Sequence, residues 1–205
     1  MNLSVWRAAL CVVFVAASPC LAAPLAAYGA LPSIEHAAIS PDGARLAVVL
    51  TNGDLRNVAI ERVGDSKVIA TIRAGDQKVR EIRWAGPDHL LVSVSTTTEI
   101  HGLASPWGEW WTITDIDLKH GTEHRVLGDG VAGMDVVYGR PQVRVIDGKA
   151  YAFVTAVQWV ADEGWASLYR FDLDSGRSSL VAKRFGMEAR FPSEHSLDNF
   201  GVILL

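Results

Sequence analysis

The stretch His36-Ala-Ala-Ile-Ser-Pro-Asp-Gly-Ala-Arg-Leu-Ala-Val-Val-Leu50 decides how the chain is read. It predicts a short strand, a tight turn and a second, apolar strand. Pro41 presets its own φ, and Gly43 accepts the positive φ that such a turn needs. Ile39, Leu46, Val48 and Leu50 fall at alternating positions in the two arms, which puts them on one face of a hairpin. Working outward, the chain reads as further copies of this unit with decayed turns.

Downstream of the hairpin, apolar segments recur between turn signals. Strands are expected at 35–40, 45–51, 57–63 and 67–72, with Asn52-Gly53-Asp54 and Gly64-Asp65-Ser66 between the later ones. A second round has strands at 79–84 and 90–95, a long loop from Thr96 to Gly108, then strands at 110–118 and 123–127. In a third round, strands at 142–146 and 150–156 flank Asp147-Gly148, the strongest hairpin signal in the chain. Strands at 168–173 and 178–183 complete it across Asp174-Ser175-Gly176. No helix is expected after the N-terminal leader.

These rounds read as repeats. Ile116-Asp117-Leu118-Lys119-His120-Gly121 and Phe171-Asp172-Leu173-Asp174-Ser175-Gly176 share the pattern apolar-Asp-Leu-x-x-Gly, and Ile60-Glu61-Arg62-Val63-Gly64-Asp65 is a looser copy. Glu61, Asp117 and Asp172 stand 56 and 55 residues apart by subtraction of their numbers. Four antiparallel strands repeating on that scale describe β-propeller blades; the alternative is an ordinary meander or sandwich. The expected fold is therefore all-β, a partial β-propeller of four-stranded antiparallel blades, about three blades plus the start of a fourth. The expected blades cover 34–74, 79–128 and 142–184. Residues 185–205 are expected to be an incomplete fourth blade or a non-native tail. Their apolar end, Phe200-Gly-Val-Ile-Leu-Leu205, reads as an open strand edge in the front part of a longer design.

Composition sets the class. The 205 residues are 49% hydrophobic and 20% charged, enough for a packed core, and the net charge of −4 argues against a nucleic-acid surface. Residues 1–22 have the layout of a secretory signal peptide: Arg7, an apolar run from Ala8 to Ala17, a Ser18-Pro19 break and a cut after Ala22. The apolar run is too short to span a bilayer. A lipoprotein reading would acylate Cys20, but Ala17-Ser18-Pro19 lacks the aliphatic and small residues such a site wants. Residues 23–33 read as a leading arm. Cleavage removes Arg7, Cys11 and Cys20. That takes the 19 basic residues to 18 against 23 acidic, a net charge of −5, and leaves no cysteine for disulfides or thiol catalysis. The expected location is outside the cytoplasm, periplasmic or secreted, with no membrane association after cleavage.

Several stretches then resemble a known family. Ile39-Ser-Pro-Asp-Gly-Ala-Arg-Leu-Ala47 resembles the hairpin of Tol-B-like and peptidase propellers. Gly75-Asp-Gln-Lys-Val-Arg-Glu-Ile-Arg-Trp84, followed by Asp88-His-Leu-Leu-Val92, is similar to the second blade of secreted bacterial peptidases of the prolyl oligopeptidase family. Phe171 to Gly176 fits the third blade. The resemblance covers roughly Leu25 to Val181. It implies a propeller that caps an active site, restricts entry to short peptide substrates, and precedes an α/β-hydrolase domain with a Ser-Asp-His triad. That domain is missing from this chain: the nucleophile elbow needs G-x-S-x-G, and no such pentapeptide occurs. The chain as it stands is therefore expected to be no enzyme, with no catalytic residue of its own. The amine-binding glutamates of dipeptidyl members have no matching motif here; Glu99 and Glu109 are the candidates. The alternative function is a stand-alone periplasmic, Tol-B-like interaction module.

Three constellations carry chemistry on paper. His120-Gly-Thr-Glu-His124 matches H-x-x-E-H, yet that zinc chemistry needs both histidines on one helix face, and Gly121-Thr122 predict a turn. Gly128-Asp-Gly-Val-Ala-Gly133 matches G-x-G-x-x-G, but no helix follows it and Asp129 would set an acid beside phosphates, so an inter-blade loop is expected. No metal or other cofactor is implied. Trp107, Trp110 and Trp111 cluster with Glu109 around a Pro-Gly loop. Such a patch either stacks on a ligand or fills the wedge between blades, and these four residues are the substrate-contact candidates.

Overall fold

A computed structural model describes Gly29 and residues 31–99, 107–160 and 163–185. The leader, most of the expected arm and the 186–205 tail lie outside the described residues. All described strands belong to the compact unit Leu31–Leu205. Twelve strands follow in order: β1 Ile34–Ile39, β2 Arg45–Asn52, β3 Leu55–Arg62, β4 Val68–Gly75, β5 Lys78–Trp84, β6 His89–Glu99, β7 Trp107–Asp117, β8 Thr122–Arg125, β9 Val137–Ile146, β10 Lys149–Val160, β11 Glu163–Asp172 and β12 Arg177–Phe185. They pair antiparallel in chain order as β1-β2-β3-β4, β5-β6-β7-β8 and β9-β10-β11-β12, three four-stranded blades. One residue pair, Trp111 with Val137, joins β7 to β9 and links the second and third blades into one ladder.

The turns form for the reasons their sequences give. Gly43 takes φ 71° and its amide bonds the Ser40 carbonyl at 2.9 Å, while the Asp42 carboxylate accepts from the Ala44 amide at 3.1 Å. Asp147 and Gly148 both have positive φ, at 52° and 77°, as a two-residue type I′ hairpin requires. The repeated Asp of the apolar-Asp-Leu-x-x-Gly pattern closes the turn after the third strand of a blade. Asp117 accepts from the Lys119 and His120 amides at 2.9 and 3.1 Å, and Asp172 accepts from the Ser175 amide at 3.1 Å. In the first blade Glu61 has no such part; Asp65 caps the turn instead, accepting from the Lys67 amide at 3.1 Å.

Two segments differ from the expectation. The loop expected from Thr96 to Gly108 is strand at both ends: β6 runs on to Glu99 and β7 begins at Trp107, with Thr97 opposite Glu109 and Glu99 opposite Trp107. β-branched Thr96-Thr97-Thr98 and the tryptophans favour an extended ladder over the Pro-Gly turn signal. β9 begins at Val137, ahead of Gln142, and carries Gly139 (φ 75°) and Pro141 through a register shift opposite Phe153 and Thr155. On its other side β9 meets β7 only at Val137, so the donor that Pro141 lacks breaks no second ladder.

The core lies between blades, and β6 serves both sides of it. Leu90, Val92 and Val94 pack with Val79, Ile82 and Trp84 against Ala47, Val49, Val58 and Ile60 of the first blade. Leu91, one residue out of phase, joins Ile113 and packs against Ala152, Val154, Tyr169 and Phe171 of the third. Ile39, Leu46, Val48 and Leu50 do share a face, but the packed face of the first hairpin is the opposite one, and Ile39 stays 59% exposed. Polar contacts seam the blades: Trp84 Nε1 donates to the Ala38 carbonyl at 3.0 Å, His36 Nε2 to the Val79 carbonyl at 3.1 Å, and the Ser178 amide to Asp129 at 2.7 Å.

Because adjacent residues of β6 hold different interfaces, Leu90→Ala and Leu91→Ala are each expected to cost about 2–5 kcal/mol. Val145→Ala, on an exposed face, is expected to stay within about 0.5 kcal/mol of the parent. Chemical denaturation checks all three; a near-neutral Leu91→Ala would mean that the second and third blades do not share a core.

Candidate functional site

At one end of the blades, the start of β7 and the start of β9 enclose a cavity of about 530 Å³. Glu109, Trp110 and Trp111 line it from β7, and Val137, Tyr138 and Gly139 from β9. Three of the four tryptophan-patch candidates thus share one cavity. Trp107 does not line it and stands 67% exposed. The strand geometry puts Trp107, Glu109 and Trp111 on one face of β7 and Trp110 on the other. Trp110 Nε1 donates to the Thr98 carbonyl at 2.9 Å, and its ring lies over Gly108, where a Cβ would come within 3.3 Å.

Glu109 is not a free carboxylate. Its Oε1 is bonded by an Arg80 guanidinium nitrogen, accepts from Ser95 Oγ at 2.8 Å and lies 3.9 Å from Lys78 Nζ. Arg80 also donates through Nε to Ser95 Oγ at 2.7 Å and sits over the Trp111 ring, 5.9 Å from its centre. Arg80 lies two residues from Lys78, which pairs with Ser95, so it shares their face of the sheet; the bulge between Val79 and Glu81 follows directly after that pairing. An ammonium group entering here meets a carboxylate already compensated by two cations. Glu99, the other candidate, lies at the end of β6 and does not line the cavity.

Arg80, Lys78, Ser95 and Tyr138 were not legible as site residues. The one sequence signal was Ser93 and Ser95, which interrupt the apolar run of β6 on a single face.

At the opposite end of the same strands lies a buried ionic cluster. Asp115 is fully buried and accepts from His89 Nδ1 at 3.0 and 3.2 Å. His89 Nε2 lies 3.9 Å from Asp174 of the third blade, and Asp117 accepts from His120 Nδ1 at 2.6 Å. Burial pushes the Asp115 carboxyl above the usual range, against the pull of His89. Burial pulls the His89 imidazole down, but the hydrogen bond and charge of Asp115, with Asp117 and Asp174, outweigh it and raise His89 above its ordinary value. Burial also works against ionisation of Asp117, yet the bonds from His120 hold its carboxyl below the usual range.

The two histidines of H-x-x-E-H take separate partners. His120 sits in the turn on Asp117, whereas His124 lies on β8, bonded to Thr122 Oγ1 at 3.1 Å and packed under Gly176. Among the described residues no three of His, Cys, Asp and Glu gather as metal ligands. Gly128–Gly133 forms turns between β8 and β9, and its Asp129 receives the Ser178 amide.

The three blades are of the β-propeller type. Residues 16–106 match the family model described as the lipoprotein LpqB β-propeller domain. Among solved structures, the chain is similar to an acylaminoacyl peptidase of Pyrococcus horikoshii (12% identity, TM-score 0.45, covering 75% of this chain and 26% of that one). It is also similar to a prolyl endopeptidase (19%, 0.42, 78% and 21%) and to a hydrazine synthase of Kuenenia stuttgartiensis (14%, 0.38, 70% and 57%). The chain thus spans about a quarter of the length of the two peptidases. No curated protein matches it. At these identities no activity transfers to this chain.

The pH dependence of stability follows from the cluster. Both His89 and Asp115 bind their protons more tightly folded than unfolded, so stability falls as pH rises through each window. The His89 contribution is fully present below its ordinary value of 6.5 and is lost as pH climbs through its raised value. Denaturation midpoints are expected to decline from pH 6.5 upward, and His89→Gln to flatten that decline. His89→Ala, which strands a buried carboxylate, is expected to cost about 3–5 kcal/mol near pH 6. An unchanged slope in His89→Gln would remove the cluster as its source.

Proposed function

We propose that this chain is the propeller, substrate-access portion of an exported serine peptidase of the prolyl-oligopeptidase kind, and that it meets peptides at the cavity between β7 and β9. The cavity itself carries the reading. Trp110, Trp111 and Tyr138 offer aromatic surface with polar handles, the residue types that hold peptide side chains and prolines by stacking. Its lining comes from the first residues of β7 and β9. The sequence resemblance supports the peptidase assignment. The leader supports export, and the propeller model that matches residues 16–106 is named for a lipoprotein. Bond cleavage is assigned to a hydrolase domain, because a serine needs an activating base and a preorganised oxyanion site and this sequence offers no elbow for one.

A second reading, a periplasmic interaction module of the Tol-B-like kind, draws on the same propeller match. It expects the aromatic cavity to act as packing rather than as a ligand site.

Titration with short proline-containing peptides, followed by intrinsic tryptophan fluorescence, separates the two. Saturable quenching is expected, weakened about tenfold (~1.4 kcal/mol) by Trp110→Ala. No serine is expected to react with a fluorophosphonate probe. Absence of any peptide binding would favour the interaction module, and stable labelling of one serine would contradict the assignment of catalysis to another domain.

A further inference from the structure

Arg80 is a shared wall. On one side it contacts Glu109 of the aromatic cavity; on the other it lines a second cavity of about 380 Å³, with Glu35, His36, Arg56, Lys78 and Val79. We infer that this second cavity takes a carboxylate of the bound peptide, held between Lys78 and Arg80. The inference rests on the peptide-binding reading above and adds to it the chemistry of one end or side chain of the ligand.

Arg56 is spoken for: its Nε donates to Glu35 at 2.7 Å and its Nη1 to the carbonyls of Asp54 and Asp76 at 3.2 and 3.5 Å. His36 is fixed on the Val79 carbonyl. Lys78 and Arg80 remain, and among the described residues they share a single carboxylate, Glu109, through a single oxygen, Oε1. Two cations against one anion leave a positive charge at the mouth. Lys78 lines the cavity, its side chain is 55% exposed, and at 3.9 Å from Glu109 it makes an ion pair without a hydrogen bond. Arg80 uses Nε and Nη2 for its present partners, two of its three nitrogens.

A second carboxylate placed here completes the charge balance and accepts charge-assisted hydrogen bonds, the strong kind. The adjoining aromatic cavity holds the remainder of the peptide, and Arg80 over Trp111 couples the two. An incoming carboxylate competes with Glu109 for Arg80, so Glu109 tunes the affinity. The carboxylate has two possible sources, a peptide C-terminus or an acidic side chain.

The test uses the full chain and three probes: the tripeptide Ala-Pro-Ala as free acid, its C-terminal amide, and Ala-Pro-Glu with an amidated C-terminus. Calorimetry is expected to show at least one carboxylate-bearing probe binding about tenfold tighter than the Ala-Pro-Ala amide, with the advantage shrinking as salt is raised. The free acid alone showing it identifies the C-terminus; the glutamate amide alone identifies a side chain. Lys78→Met is expected to bring the favoured probe down to the plain amide's affinity. Glu109→Gln is expected to tighten it, an effect that general loosening of the fold would not produce. Equal binding of all three probes would overturn the carboxylate site while leaving peptide binding intact. No binding by any probe would overturn the peptide reading itself.

Discussion

The structure depends on β6 being buried on both faces. From His89 to Ser95 every residue is buried: Leu90, Val92 and Val94 pack toward the first blade, and Leu91 toward the third. A half-buried strand alternates apolar and polar residues; one packed on both sides carries an apolar run, and Leu90-Leu91-Val92 is such a run. The second blade thereby becomes the structural link: the first and third blades each complete their core against it. The single bridge between Trp111 and Val137 adds backbone continuity but little area, so the union of blades is chiefly a matter of side-chain packing.

The same strand sets the two polar ends. Toward its start, His89 closes over Asp115 where the second and third blades meet, with Asp174 of the third blade's turn and Asp117 at the end of β7 nearby. Toward its end, the face that carries Leu91 turns polar at Ser93 and Ser95. Ser95 then holds Arg80 and Glu109 together beside the aromatic cavity. Site and core are thus consecutive stretches of one ladder, and the cavity inherits a rigid floor. Arg80 is positioned by the β5–β6 ladder and its bond to Ser95 rather than by a loop, which favours a preformed charge arrangement over one assembled on binding.

The fold was legible because its signals are local. Pro41-Asp42-Gly43 and Asp147-Gly148 specify their turns with little help from the rest of the chain, and the Asp117 and Asp172 repeats report a capping geometry that each turn makes by itself. Non-local features were less visible. The strand character of Thr96 to Glu99 comes from pairing with Trp107 to Trp110, which a Pro-Gly signal obscured. The tryptophan patch could be named from clustering, but its partners could not. Arg80 and Lys78 lie about thirty residues upstream of Glu109, and only the register of β5, β6 and β7 brings them to it. His89 and Asp115 were hidden for the same reason: each looks like an ordinary strand-end or strand residue until the ladder sets them together.

Hydrogen exchange of the β6 amides tests the dependence on this strand most directly. The amides of Leu90, Leu91 and Val92 are expected to exchange among the slowest in the chain. Their opening free energy is expected to equal that of the slowest amides in β2, β3, β10 and β11, since exposing β6 dissolves both interfaces at once. Exchange of the β6 amides through a smaller opening, with the first and third blades still protected, would contradict that dependence.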